Sequence, residues 1–377
     1  MFDDPRVHVR RFTGRRAETE EALAALSQVS QAALRQFSLE RTMAYGVDHG
    51  DVVELRARVV AGEDWRTAAT DLARTCSEYA DTAPGTPTRV AYLRRGSALL
   101  RMSQMMFLED TDDRRAIFAR AAELYDEAAR LAGDRTRVVL ESEDGPLAGW
   151  WLSAGPSPVG AVIVIGGIEG WAMDFDGMGT ALAARGLDVL LLDGPGQGES
   201  RFTHRHYLTP TWIRAYERAI DHVADRSPAS PIGIVGNSMG GGLAMAVAAH
   251  DPRVRACCSN GGLVHPRLVP PDIGTFFTKM VAFCGTDDPD SAIATWASVD
   301  PTADGPNSGY PLLVVHGGRD PMISDDLAAL LLDGAPTDDK EMVVFSDGDH
   351  CVYNHRQDRD VLVADWMLQR LTTARGV

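Results

Sequence analysis

The stretch Pro231–His250, PIGIVGNSMGGGLAMAVAAH, constrains this chain more than any other. Its apolar run Ile232-Gly233-Ile234-Val235 reads as a buried strand. Gly236-Asn237-Ser238-Met239-Gly240 follows at once in the spacing G-x-S-x-G, and small, helix-compatible residues run on to Ala249. A serine in a sharp strand-to-helix turn presents its hydroxyl to a cleft, and its neighbours must be small for strand and helix to pack closely. The glycines at 236, 240, 241 and 242 meet that demand. The helix N-terminus then aims partial positive charge at the site. The five-residue pattern alone also occurs in ordinary Gly-rich turns, so its flanks and downstream partners carry the weight.

From about Thr136 onward, predicted strands alternate with predicted helices, the pattern of a mainly parallel sheet and an α/β fold class. Arg137–Glu141 and Leu147–Leu152 read as a hairpin, and Ala161–Ile165, Leu187–Leu192, Val254–Cys258, Pro311–Val315 and Met342–Phe345 as further strands. Helices are expected over Met178–Arg185, Pro210–Ala224, Asp325–Leu332 and Val361–Leu371. The chain ahead reads as helical, with amphipathic segments at Glu18–Phe37, Asp51–Val60, Asp64–Tyr79, Thr88–Leu108 and Asp112–Leu131. The expected division is a helical cap or lid domain over 1–135 and a catalytic domain over 136–377. Gly261–Tyr310, which carries Phe276, Phe277, Met280, Phe283 and Trp296, reads equally as a pocket wall or lid and as packing against the helices.

Ser238 is a weak nucleophile unless a base takes its proton and an anion orients that base. The strand ending in His316-Gly317-Gly318-Arg319-Asp320 places Asp320 just past a strand end, and the strand ending in Ser346-Asp347-Gly348-Asp349-His350 does the same for His350. Serine, acid and histidine in that order, all at the carboxyl edge of one sheet, make Ser238, Asp320 and His350 the candidate catalytic set. His316 reads as a structural hydrogen-bonder, Asp325 and Asp326 as helix caps, and Asp347 and Asp349 as residues that shape the His350 loop. An oxyanion needs donors, expected from the N–H of Met239 and from the loop Gly166-Gly167-Ile168-Glu169-Gly170-Trp171, with Ile168 as the donor and Gly167 as the alternative. Glu169 is the odd residue there, since a carboxylate disfavours nearby negative charge. It is expected to be a solvated loop glutamate; the alternative is a group that orients or protonates a polar substrate. Trp171, Phe276 and Phe277 are further candidate substrate contacts, as are Met102 and Met106 of an apolar cluster that could equally be helix core. Asp193-Gly194-Pro195-Gly196-Gln197-Gly198 imitates a nucleotide loop but lacks the G-x-G-x-x-G spacing, and no helix pattern opens there.

Composition bounds the partners. With 37 Lys and Arg against 53 Asp and Glu, the formal net charge is −16, which argues against nucleic acid or an anionic membrane as the main partner. No apolar run reaches the roughly 20 residues that span a bilayer. Cys76, Cys257, Cys258, Cys284 and Cys351 show no metal-ligand spacing and read as reduced thiols. Met1-Phe2-Asp3-Asp4-Pro5 lacks the pattern of a signal peptide, so a cytoplasmic location is expected. Nothing in the sequence calls for a cofactor or metal, and the expected partner is a hydrophobic small-molecule substrate.

GGIEGW, DGPGQGES, GNSMGG, HGGRD and DGDH, in that order, resemble the α/β-hydrolase superfamily from about residue 136 to the end. The helical region ahead, with Met43–Asp48 and Gly62–Trp65, resembles the group containing 2,6-dihydroxypseudooxynicotine hydrolase, fermentation–respiration-switch-type esterase-like proteins and fungal polyketide chain-shortening hydrolases. That resemblance implies hydrolysis of a ketone C–C bond in several members, with the substrate held between helical domain and core, often in a homodimer; for this chain the expected bond is an ester or a ketone C–C bond, in secondary metabolism. Some relatives in actinobacterial polyketide pathways instead eliminate acetate from an acylated intermediate. One departure is that Gly262–Pro271 holds no acidic residue where C–C hydrolases of the group lead one to expect it. The expected function is therefore a serine hydrolase. Elimination of a carboxylate is the alternative chemistry, and a non-catalytic binding protein on the same scaffold is the alternative class.

Overall fold

The computed structural model describes residues 13–266, 269 and 274–374. Met1–Pro5 and the residues Pro270 and Pro271 of the expected acidic segment lie outside the described residues. Seven helices come first among those described: Glu20–Ala24, Gln28–Gln36, Leu39–Ala44, His49–Val60, Trp65–Asp81, Thr86–Gln104 and Asp112–Ala132. Side chains of Thr19, Ser27, Ser38, Asp48, Asp64 and Thr111 each accept from a first-turn N–H, which is why the helices start where they do. Pro87 lies in the first turn of its helix, where its missing N–H costs nothing, so this helix opens at Thr86 rather than after the expected break. The short helix Leu39–Ala44 was not expected from the sequence; it has too few residues for a periodic pattern.

The strands are β1 Thr136–Leu140, β2 Leu147–Leu152, β3 Gly160–Ile165, β4 Leu187–Asp193, β5 Ile232–Asn237, β6 Val254–Asn260, β7 Leu312–Gly317 and β8 Lys340–Phe345. They form one sheet in the order β1-β2-β4-β3-β5-β6-β7-β8. β2 runs antiparallel to both neighbours, and the other pairs are parallel. β3, β4, β5 and β7 are buried along their whole length, as continuous apolar runs require when helices cover both faces. Residues of Ile213–Arg226, Met239–His250 and Asp325–Gly334 pack on one face. Asp176–Ala183 and Arg356–Ala374 pack on the other. A third apolar cluster belongs to the N-terminal helices, and it includes Cys351 and Tyr353 from the loop after β8.

The strand order reverses at β3, flanked by β4 and β5, and in open α/β sheets ligands bind outside the carboxyl ends at such a point. The loops leaving β3 and β5 there come into van der Waals contact. A Cβ on Gly236 would overlap the Gly240 carbonyl oxygen and crowd Ala244 Cβ at 2.7 Å, and one on Gly240 would overlap the Gly166 carbonyl oxygen. Gly236→Ala is therefore expected to destabilise by about 3 kcal/mol, the upper end of overpacking costs, read as a lowered melting temperature. An unchanged melting temperature would contradict this packing.

Candidate active site

Ser238 directly follows β5 with φ 55 and ψ −126, a left-handed conformation that a non-glycine residue holds only under constraint. The constraint is visible: Ser238 N–H donates to Asn260 O at 2.8 Å, and the helix Met239–His250 begins at the next residue. Ser238 Oγ lies 2.9 Å from His350 Nε2. His350 Nδ1 lies 2.7 Å from Asp320 Oδ2, and Asp320 Oδ1 accepts from the N–H groups of Met322 (2.8 Å) and Ile323 (3.1 Å). The residues predicted from three separate strand ends thus form one continuous hydrogen-bonded relay. Cys351 and Val352, both at φ 56, turn the chain sharply after His350.

The electrostatics follow from this contact. Burial acts to raise the Asp320 pKa, but the hydrogen bond and charge of His350 and the two N–H donors outweigh it and hold the carboxyl below its usual range. Burial acts to lower the His350 pKa, and the Cys351 sulfur and Asp320 carboxylate outweigh it, raising the imidazole above its ordinary value. Two other histidines near this site in the sequence are engaged elsewhere. His316 is buried and pairs with Asp325 at 2.9 Å, while His355 pairs with Asp347 at 3.0 Å and stacks on Phe345. Asp349 shapes the His350 loop by accepting from Asn354 N–H at 3.2 Å, while its own N–H donates to Asn354 Oδ1 at 3.0 Å.

Within the loop after β3, Gly167 N–H is committed to Gly170 O at 2.8 Å. Gly167 approaches Ser238 so closely that a Cβ on it would stand 2.9 Å from Ser238 Cβ. Gln197 Nε2 donates to Gly166 O (2.7 Å) and Gly167 O (3.0 Å), so the Gly-rich turn that imitates a nucleotide loop buttresses this one. A short helix, Gly198–Phe202, does open there, contrary to expectation, and its own length is below what periodicity can report.

Several candidate substrate contacts are corrected. Glu169 is not solvated: only 3% of it is exposed. Both its oxygens accept from Arg114 Nη2, at 3.0 and 3.1 Å, and Oε1 lies 3.5 Å from Lys279 Nζ. Burial pushes the pKa of Arg114 and of Lys279 down, with the charge of Glu169 opposing it in each case. Trp171 is buried and packs on Phe118 and Phe202 rather than facing the cleft. Met102 is wholly buried in the helical core, where its carbonyl accepts from Trp65 Nε1, and Met106 packs against the same core. Phe277 is also buried away from the cleft, whereas Phe276 lines it.

The cleft over Ser238 and His350 is lined by Arg41, Tyr45, Phe276, Lys279, Met322 and Tyr353, with Gly167–Gly170 along one wall. It encloses about 60 Å³, little beside the roughly 300–1,000 Å³ of sites for drug-sized ligands. A larger groove of about 560 Å³ lies among the first helices, lined by Arg15, Glu18, His49 and Arg56, and holds no nucleophile–base pair. Arg41, Tyr45, Arg114, Gln197, Lys279 and Tyr353 were not legible as site residues, because their partners lie on distant segments.

The crystal structure of 2,6-dihydroxy-pseudo-oxynicotine hydrolase resembles this one with a TM-score of 0.76 and 25% identity, covering 90% of this chain and 97% of that one. The chain has the α/β-hydrolase fold. The family described as serine aminopeptidase, S33, matches residues 156–287 of this chain. The 2,6-dihydropseudooxynicotine hydrolase of Paenarthrobacter nicotinovorans is 28% identical over 291 residues, covering 74% of this chain and 77% of that protein. Hydrolase acrC of Aspergillus aculeatus is 30% identical over 257 residues, covering 64% of this chain and 57% of the fungal protein. Among the described residues no helix is long and apolar enough to cross a membrane.

Replacing Glu169 with Gln would leave Arg114 and Lys279 buried without their shared anion. Removing one partner from a buried pair costs about 3–5 kcal/mol, so Glu169→Gln is expected to lower the melting temperature sharply and Glu169→Gln/Lys279→Gln to recover part of the loss. Equal melting temperatures for wild type and Glu169→Gln would show that the cluster carries no such energy.

Proposed function

We propose that this protein is a serine hydrolase that cleaves an ester or a ketone C–C bond in a carbonyl-bearing small molecule. The relay Ser238 Oγ–His350 Nε2 (2.9 Å) and His350 Nδ1–Asp320 Oδ2 (2.7 Å) carries this reading. Ser238 attacks the carbonyl as His350 Nε2 takes its proton, and Asp320 holds the imidazole in the tautomer with Nε2 free and stabilises the cation that forms. The N–H groups of Ile168 and Met239 receive the developing oxyanion. His350 then protonates the leaving group, an oxygen in an ester or a carbon in a β-ketone, and water, deprotonated by His350, releases the acid. In this reading the helical region up to about residue 135 is a cap domain and the remainder is catalytic, with the substrate between them. Supporting that placement, Arg41 and Tyr45 of the helical region and Phe276 of the segment between β6 and β7 line the same cleft.

The test is product analysis in H₂¹⁸O with a panel of aryl esters and β-diketones. Label is expected in the released acid, and Ser238→Ala is expected to lower kcat by about 10⁴-fold or more. An unlabelled carboxylate released with a new alkene would identify elimination instead. The pH profile gives a second check. His350 must be neutral to act as a base, and its pKa is raised, so kcat/KM is expected to fall as pH drops through a limb above the ordinary imidazole value of about 6.5. Asp320→Asn is expected to move that limb down and to cost about 10⁴-fold in kcat. A limb unmoved by Asp320→Asn would place the titrating base elsewhere.

A further inference from the structure

The buried groups in and beside the cleft carry more positive charge than their carboxylates neutralise. Arg201 pairs with Asp110, Arg114 reaches Asp110 and Glu169, and Lys279 reaches Glu169, so three cations share two carboxylates. Arg41 adds a fourth cation, and among the described residues no carboxylate pairs with it. Its Nη1 donates to Gln36 O at 3.2 Å and its Nη2 to Tyr45 Oη at 3.4 Å, while its buried Nε has no hydrogen-bond partner. The guanidinium carbon stands 5.3 Å from the Phe37 ring centroid and 5.5 Å from those of Tyr45 and Tyr353. Tyr353 is in turn 6.5 Å from the His350 ring, so one aromatic ring separates this charge from the base of the relay.

This surplus is local, since the chain as a whole has a formal net charge of −16. Holding cations out of water is costly unless an anion meets them. The platform that holds Arg41 is also built rather than incidental. Tyr45 Oη donates to Glu169 O at 3.2 Å, which leaves it to accept from Tyr353 Oη at 2.8 Å, so both rings under the guanidinium are fixed. A guanidinium with a free N–H edge suits a delocalised oxyanion better than a point charge.

We infer that the substrate carries a delocalised organic anion, a carboxylate or an acidic enolate, that Arg41 binds beside the reacting carbonyl. Lys279 contributes to the field, and Phe276 and Met322 meet the apolar remainder of the molecule. This deepens the serine-hydrolase reading and rests on it for the position of the carbonyl, but the anion site is tested without catalysis.

The experiment is isothermal titration calorimetry on the full-length Ser238→Ala protein. The probes are hexanoate against hexanamide, and the enolate of cyclohexane-1,3-dione against cyclohexanone. At least one anion is expected to bind about tenfold or more tightly than its neutral counterpart, and the pair that shows it tells carboxylate from enolate. Adding Arg41→Met is expected to cut that advantage to about threefold or less, and Arg41→Lys to retain part of it. The ratio within one preparation does not depend on how much of a variant is folded. Anions that bind no better than neutral probes, or an advantage that survives Arg41→Met, would overturn the inference. Failure of the wild type to turn over any ester or β-diketone while this advantage holds would sink the hydrolase assignment and leave the anion site standing.

Discussion

The buried contact of Glu169 with Arg114 and Lys279 ties this structure together. Glu169 sits in the loop after β3, Arg114 on the helix Asp112–Ala132 and Lys279 on the helix Gly274–Phe283. Three segments far apart in sequence therefore meet on one carboxylate, in a place where unpaired charge is costly. The contact also resolves a conflict. A lone carboxylate so near Ser238 would oppose any negative charge developing there, but this one is matched by two cations. The N-terminal helices thus supply both a charge partner of Glu169 and residues that line the cleft.

Steric closeness does the rest. The turn at Ser238 holds because Gly236, Gly240 and Gly167 leave no room for a side chain between the loops after β3 and β5. Gln197 pins the β3 loop through the carbonyls of Gly166 and Gly167. On the other side, Asn260 Nδ2 donates to Asn237 Oδ1 at 2.9 Å and to Cys351 O at 3.1 Å, linking β5, β6 and the His350 loop. Ser238 and His350 are set by separate elements that share these buried polar groups, and distances near 2.8 Å result without either side chain having to search for the other.

Much of this was legible in the sequence because its signals are local. Continuous apolar runs mark β3, β4 and β5, glycines mark the turn at Ser238, and Asp320 and His350 each stand just past a strand. The short helices Leu39–Ala44 and Gly198–Phe202 were missed because so few residues carry no period. Met102 and Trp171 show the opposite failure: large apolar residues near a presumed site look the same in sequence whether they line a cleft or fill a core, and here they fill cores. Glu169 was misread because its partner Arg114 is 55 positions away, and burial of a charge is decided by such partners rather than by neighbours in the chain. Arg41 left no signal at all, since an arginine on a short polar helix is ordinarily a surface residue.

The most direct measurement is labelling of the folded protein with a serine-directed fluorophosphonate, read by peptide mass spectrometry. A single adduct on the peptide that contains Ser238, absent when His350 is replaced by Ala or when the protein is unfolded first, is the result this account predicts. No adduct, or an adduct on Ser238 that forms equally well without His350, would contradict it: Ser238 would then be a residue in a strained turn and not a nucleophile activated by its neighbour.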